Sequence, residues 1–200
     1  MLNRVNKTLT STAAAAAVTV LLTSGCATAI IGGAASTVMV ANDPRTTGTV
    51  IEDQAIELKA ATALGEEPSL KDQTHVNVTS YNQIVLLTGE APTEDVRQQV
   101  VERVRNVTKV RHVHDEMRIA APSSLTARSS DTLITAKVKT KLFSVKNFDA
   151  TRVKVVTEAG TVFLMGLLTR EEADRAAEAV QEVGGVQRVV KLFEYQPAAG

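Results

Sequence analysis

Apolar and polar residues alternate between Arg152 and Gly166 in the pattern typical of a β-hairpin. Val153 and Val155 lie before a turn at residues 158–160, and an apolar run from Val162 to Met165 follows it. The same pattern occurs earlier in the chain, which indicates an internal repeat. Five matched pairs carry it: Val76 with Val153, Val78 with Val155, Val85 with Val162, Leu87 with Leu164, and Gly89 with Gly166.

Helical periodicity flanks both hairpins. Each hairpin is followed by a run that begins with two acidic residues, and each run is followed by valines spaced as in a strand. The sequence therefore predicts an α+β protein with two tandem domains of order αββαβ. In each domain a small three-stranded mixed sheet packs against two helices.

Each repeat begins with a predicted helix. In the first copy we expect an apolar stripe that includes Ile51 and Leu58, while Asp53 lies on the exposed side. In the second copy we expect Ser130-Asp131 to cap a helix from about Thr132 to Phe143.

These patterns give a division of the whole chain. The predicted segments are a lipoprotein signal peptide at 1–25, a lipidated N-terminus and flexible tether at 26–48, a first domain at 49–120, a linker at 121–129, a second domain at 130–196 and a tail at 197–200.

The N-terminus carries a targeting signal. Arg4 and Lys7 precede a short apolar run, and the single cysteine, Cys26, follows Ser24-Gly25. This resembles a bacterial lipobox, although Thr23 stands where leucine is usual. The resemblance implies diacylglyceryl and N-acyl groups on Cys26. Because Ala27 is not the aspartate that retains lipoproteins in the inner membrane, it also implies delivery to the outer membrane. An alternative to a free tether is that residues 30–40 pack on a domain or lie among lipid headgroups.

Composition narrows the class of protein. The formal net charge is zero and there is no tryptophan, so the chain lacks the strongly basic character of nucleic-acid-binding domains. A single cysteine excludes an intramolecular disulfide and a cysteine-rich metal site.

Catalytic and metal-binding chemistry is not predicted. We find no nucleophile beside a base and no phosphate-binding glycine loop, so we expect no enzyme, no small-molecule substrate and no cofactor beyond the acyl groups. His112 and His114 share one face of a strand, but a metal site needs a third ligand, and only His75 is left among the histidines. We therefore predict no metal site.

The charge of the two first helices differs most between the repeats. Residues 49–67 carry five acidic residues and one basic residue, whereas residues 128–146 carry five basic residues and one acidic residue. Leu133 lies among lysines, as in helices at the boundary of anionic bilayers. A solvated helix face is the alternative. The candidate phospholipid-binding residues are Thr132, Leu133, Ala136, Lys137, Lys139, Thr140, Lys141 and Phe143.

The repeated hairpins, each followed by a helix and a valine-rich strand, resemble BON domains. The second copy has the family pattern Val183-Gly-Gly-Val186-Gln-Arg-Val189, while the first has Asn106 where glycine is expected. Two such domains behind a lipobox resemble dual BON-domain outer-membrane lipoproteins. That resemblance implies a protein that supports outer-membrane integrity and binds anionic phospholipid of the inner leaflet through the first helix of its second domain. It also implies an association with outer-membrane protein assembly machinery and with the division site. Leu133 stands where a protein of this kind has an aromatic Trp, which prefers the membrane interface.

A second function class stays open. The two domains would then form a periplasmic protein-interaction or chaperone-like module, and the acyl anchor would only supply location. An exposed apolar patch away from the basic helix would favour this class.

Overall fold

The computed structural model of the protein describes residues 43–197. The predicted signal peptide, Cys26, most of the tether and the last three residues lie outside this range. The first domain contains three helices and strands in the order α1 Thr47–Gly65, α2 Pro68–Lys71, β1 His75–Tyr81, β2 Ile84–Ala91, α3 Glu94–Arg105, β3 His112–Asp115 and β4 Arg118–Ile119.

The second domain repeats this order without the short second helix and with one last strand in place of β3 and β4. Its elements are α4 Leu125–Phe143, a short 3₁₀ turn at Ala150–Arg152, β5 Val153–Glu158, β6 Thr161–Leu168, α5 Arg170–Gln181 and β7 Arg188–Tyr195. The predicted αββαβ order is thus confirmed in both domains. The additions are α2, the 3₁₀ turn and a fourth strand in the first sheet, because its last strand is divided into β3 and β4.

Both sheets are mixed, as predicted. The hairpin strands β1 and β2 are antiparallel, and β3 and β4 pair with β2 in parallel after the crossover through α3. In the second domain β5 and β6 are antiparallel and β7 is parallel to β6. Two residues close each hairpin with positive φ, Asn82 and Gln83 in the first and Ala159 and Gly160 in the second. This is the conformation that matches the right-handed twist of paired strands.

One face of each sheet packs against its own two helices. In the first domain Val85 and Leu87 of β2 contact Ile56 and Ala60 of α1 and Val100 of α3. The corresponding core of the second domain combines β-strand and helix residues that are all buried: Ile134, Val138, Leu142, Val153, Val155, Val162, Leu164, Ala173, Ala176 and Val180. Each domain therefore has its own hydrophobic core.

The opposite faces of the two sheets pack against each other. Tyr81 and Leu86 of the first sheet form one buried cluster with Phe163 and Met165 of the second. Because each sheet is covered by helices on its other side, the layers follow the order helix, sheet, sheet, helix. Strands buried on both faces have apolar residues at consecutive positions, which explains the uninterrupted run from Val162 to Met165.

Polar side chains around the edge of the sheet-to-sheet contact join the two domains. Asn77 of β1 donates to Glu158 of β5 at 3.0 Å, and Lys154 of β5 donates to Glu57 of α1 at 2.7 Å. On the other side Arg111 pairs with Glu194 of β7 at 3.0 Å. The apolar centre is thus enclosed by hydrogen-bonded pairs on both edges.

The expected start of α4 was wrong. The helix begins at Leu125, and the Ser124 side chain caps it by accepting from the amide of Ala127. Ser130 therefore lies inside the helix, and part of the predicted linker is helical. The physical reason is that Ser124 is as good an N-cap as Ser130, and no residue between them opposes a helix.

The expected exposed side of α1 was also wrong. Asp53 is only 3% exposed, whereas the apolar Ile51 and Leu58 point to solvent. The Asp53 carboxylate accepts from the amides of Asn82 and Gln83 at 2.7 Å each. A buried carboxylate is tolerated when such donors surround it, so its charge did not predict its exposure.

Candidate membrane-binding site

The position of α4 is fixed by its buried side. Ile134, Val138 and Leu142 enter the core of the second domain. At the same side Asp131 accepts from the amides of Ala159 and Gly160 at 2.8 and 2.9 Å, so it ties the helix to the hairpin turn. These contacts leave the opposite side of α4 directed to solvent.

That solvent-directed side carries large apolar residues. Leu133 is 64% exposed and Phe143 is 63% exposed. At about 100° per residue, Ala136 and Thr140 lie between these two side chains around the helix. Together they form one stripe on the surface, with a large apolar side chain at each edge.

Lysines flank this stripe on both sides. By the same helical geometry Lys137 lies about 40° from Leu133, while Lys139 lies on the other flank. Both lysines are exposed and form no ion pair within residues 43–197. An apolar stripe between two cationic flanks is the arrangement of helices that lie at the surface of anionic bilayers.

Lys141 has a different environment from the other two lysines. Its ammonium group lies 2.7 Å from the carboxylate of Glu182 and is partly covered. The hydrogen bond and charge of Lys141 hold the pKa of the Glu182 carboxyl below its usual range. Lys141 is therefore less available to a lipid phosphate than Lys137 or Lys139.

The hydroxyl groups of the site are already engaged. Thr132 donates to the carbonyl of Arg128 and Thr140 to that of Ala136, each at 3.0 Å. All predicted site residues except Lys141 are exposed on α4. The sequence analysis missed Leu125, an exposed residue on the same side of the first turn, because it placed the helix start too late.

The equivalent helix of the first domain differs in charge but also exposes apolar residues. Leu58 is 70% exposed and lines a groove of about 420 Å³ together with Leu64, Leu70, Val76 and Val78. This exposed apolar patch contains no residue of the basic helix α4.

The three histidines do not come together. The rings of His112 and His114 are 4.6 Å apart in an edge-to-face arrangement. Burial and the neighbouring His112 lower the pKa of His114. His75 lies instead beside Glu90, with 3.2 Å between His75 Nδ1 and a carboxylate oxygen.

Comparison with known proteins places the architecture in a family. The BON domain profile matches residues 52–121 and 130–197, which correspond to the two domains described above. The chain therefore belongs to the BON-domain family. Within residues 43–197, no helix combines the length and apolarity needed to span a bilayer.

The sequence similarity to several named proteins covers both domains. The chain is 39% identical to the outer membrane lipoprotein DolP of Haemophilus influenzae over 86% of this chain and 89% of that protein. It is 37% identical to a 21 kDa hemolysin of Actinobacillus pleuropneumoniae (76% and 79% covered) and 28% identical to osmotically-inducible protein Y of Escherichia coli (71% and 72%). This level of similarity supports the expected resemblance to dual BON-domain outer-membrane lipoproteins. None of these three names is that of an enzyme.

Proposed function

We propose that this protein is a non-enzymatic lipoprotein of the outer membrane, anchored by acyl groups on Cys26, that binds anionic phospholipid through α4 and supports the integrity of the membrane. The observation that carries the proposal is the stripe of Leu133 and Phe143 between Lys137 and Lys139. The similarity to an outer membrane lipoprotein supports the location. Location at the periplasmic face, enrichment at the division site and contact with assembly machinery are parts of the proposal that rest on family resemblance.

The energetics favour binding through this helix once the acyl chains hold the protein near the surface. Moving the exposed part of one leucine out of water contributes about 1–2 kcal/mol. Each lysine near an anionic surface contributes about 1 kcal/mol. Leu133, Lys137 and Lys139 together therefore contribute enough for reversible docking, and the acyl anchor makes the contact effectively intramolecular.

The test is binding of residues 43–200, which lack the acyl anchor, to vesicles of phosphatidylglycerol and phosphatidylcholine in cosedimentation. We expect binding only with phosphatidylglycerol, and weaker binding as salt increases. Leu133→Ser should weaken it by about 5- to 30-fold, and Lys137→Gln with Lys139→Gln by about 30-fold.

Matched controls are available on α1. Leu58→Ser removes a leucine of similar exposure, and Lys59→Gln removes an exposed lysine of the equivalent helix. Neither should change vesicle binding. Equal losses in the α1 and α4 variants, or no binding by the wild type, would contradict the proposal.

A second function is supported by the apolar groove beside Leu58. In this case the first domain binds an apolar segment of another envelope protein, and the lipid anchor supplies only the location. Loss of a bound partner on Leu58→Ser, with vesicle binding unchanged, would support this function. The two functions use different helices and are separable by these variants.

A further inference from the structure

A polar cavity lies at the edge of the contact between the two domains. It has a volume of about 210 Å³, and its walls include His75 and Asn77 of the first domain and Asp131, Thr135 and Glu158 of the second. The side chains of His75, Glu90 and Glu158 converge here, with one potential ligand atom from each within 4.8 Å of the others. Glu90 and Glu158 are buried, unlike most surface acidic groups.

We infer that His75, Glu90 and Glu158 bind a divalent transition-metal ion, best matched by Zn²⁺, that joins the two domains. This inference goes beyond membrane binding, because none of the three residues lies on α4. The spacing of His75, Glu90 and Glu158 along the chain matches no metal-binding motif, which is why sequence analysis did not detect the set.

The geometry of the first two ligands agrees with tetrahedral coordination. His75 Nδ1 and Glu90 Oε2 are 3.2 Å apart. Two ligands bound at about 2.0 Å in a tetrahedron are separated by about 3.3 Å. Glu158 offers the third ligand atom, within 4.8 Å of the other two, and the fourth position is left to water from the cavity. A nitrogen ligand with two carboxylates favours Zn²⁺ over Ca²⁺ or Mg²⁺, which prefer oxygen ligands only.

The surroundings supply further support. The second oxygen of Glu90 accepts from Arg118 at 2.6 Å, which orients the carboxylate as outer-shell partners orient metal ligands. Around the cavity the carboxylates of Glu90, Glu158 and Asp131 outnumber the guanidinium groups of Arg118 and Arg128 by three to two, so a cation lowers the electrostatic cost of their burial.

An unpartnered hydroxyl gives independent support. Thr88 is 1% exposed, and its Oγ1 has no hydrogen-bond partner within residues 43–197. It lies on the same face of β2 as Glu90 and directly opposite Asn77, whose amide binds Glu158. Its register beside Asn77 and Glu90 makes this hydroxyl a candidate acceptor for a metal-bound water of the proposed site.

The experiment is calorimetric titration of the full-length chain in detergent with Zn²⁺, with Cys26→Ser in every sample to remove the single thiol. We expect one Zn²⁺ per chain. His75→Gln and Glu158→Gln should each weaken binding by more than about tenfold. The control is His112→Gln with His114→Gln, which removes the other two histidines and should leave the affinity unchanged.

Cobalt provides a direct readout of coordination. Co²⁺ in a tetrahedral nitrogen and oxygen site absorbs strongly in the visible range, and this absorption should disappear in His75→Gln and Glu158→Gln. Glu158→Gln can still accept from Asn77, so this variant tests the site even if His75→Gln does not fold. The inference is overturned if the wild type binds no Zn²⁺, if Glu158→Gln binds normally, or if binding is lost only in the His112 and His114 variant.

Discussion

The Asp53 carboxylate is the polar group whose removal we expect to destabilise the first domain most. It accepts from the amides of Asn82 and Gln83 and from the hydroxyl of Ser80, and it pairs with Arg45, each contact at 2.7 Å. The two amides belong to the hairpin turn with positive φ, so this one side chain holds both α1 and the turn.

Asp53→Ala should reduce the free energy of unfolding by about 3–5 kcal/mol. Breaking a buried ion pair by removing one partner costs about this much, because the other groups stay buried without a partner. Asp131→Ala is the matched comparison in the second domain, since Asp131 accepts from only two amides. We expect it to cost about 2–3 kcal/mol.

Asp53→Asn separates charge from hydrogen bonding. The Asn side chain keeps one acceptor for the turn but loses the ion pair with Arg45. Asp53→Asn should therefore be less stable than the wild type and more stable than Asp53→Ala. Urea unfolding of residues 43–200, followed by circular dichroism, measures all three variants. The reasoning is refuted if Asp53→Ala costs less than about 1 kcal/mol, or if Asp131→Ala costs more than Asp53→Ala.

Two further predictions concern the domain contact and the response to acid. Phe163→Ala should reduce the free energy of unfolding by about 3–5 kcal/mol, because the ring of Phe163 fills the contact between the sheets. It should also increase the radius of gyration measured by small-angle X-ray scattering. An unchanged radius of gyration together with unchanged stability would exclude that packing. Burial alone would raise the pKa of Glu172, but the amide of Thr169 and the charge of Arg152 lower it overall. Its contribution to stability is therefore present above the unfolded pKa and lost as the pH falls through the folded value, so Glu172→Gln should destabilise at pH 7 and progressively less below about pH 4.5 in urea titrations.

The sequence predicted the parts of the fold that repeat. Val85 and Val162 occupy equivalent places in two copies of one pattern. Because the pattern occurs twice, each copy independently predicts the same strands and helices. The start of α4 was not predictable in this way, because Ser124 and Ser130 are equivalent as N-caps and only packing decides between them. Asp53 was misplaced since its donors lie about thirty residues away, in a hairpin turn that helical periodicity does not describe.

The candidate site was partly visible in the sequence. The charges of Lys137 and Lys139 and the apolar Leu133 indicated a membrane-binding surface. In the structure these three side chains are exposed. The ion pair of Lys141 was not predictable, because Glu182 lies in another segment of the domain. The contact between the sheets had a signal in the apolar residues on both faces of β2 and β6, at Leu86 and Leu87 and at Phe163 and Leu164.

The order of layers gives the molecule an inner and an outer side. In the proposed orientation, with α4 against the bilayer, both sheets lie between the membrane and the acidic α1. Two packed sheets are about 10 Å apart, which already exceeds the Debye length of about 8 Å in physiological salt, so salt screens α1 from the membrane charge. If α4 docks as proposed, the acidic helix with its apolar groove faces away from the membrane and is open to a second partner.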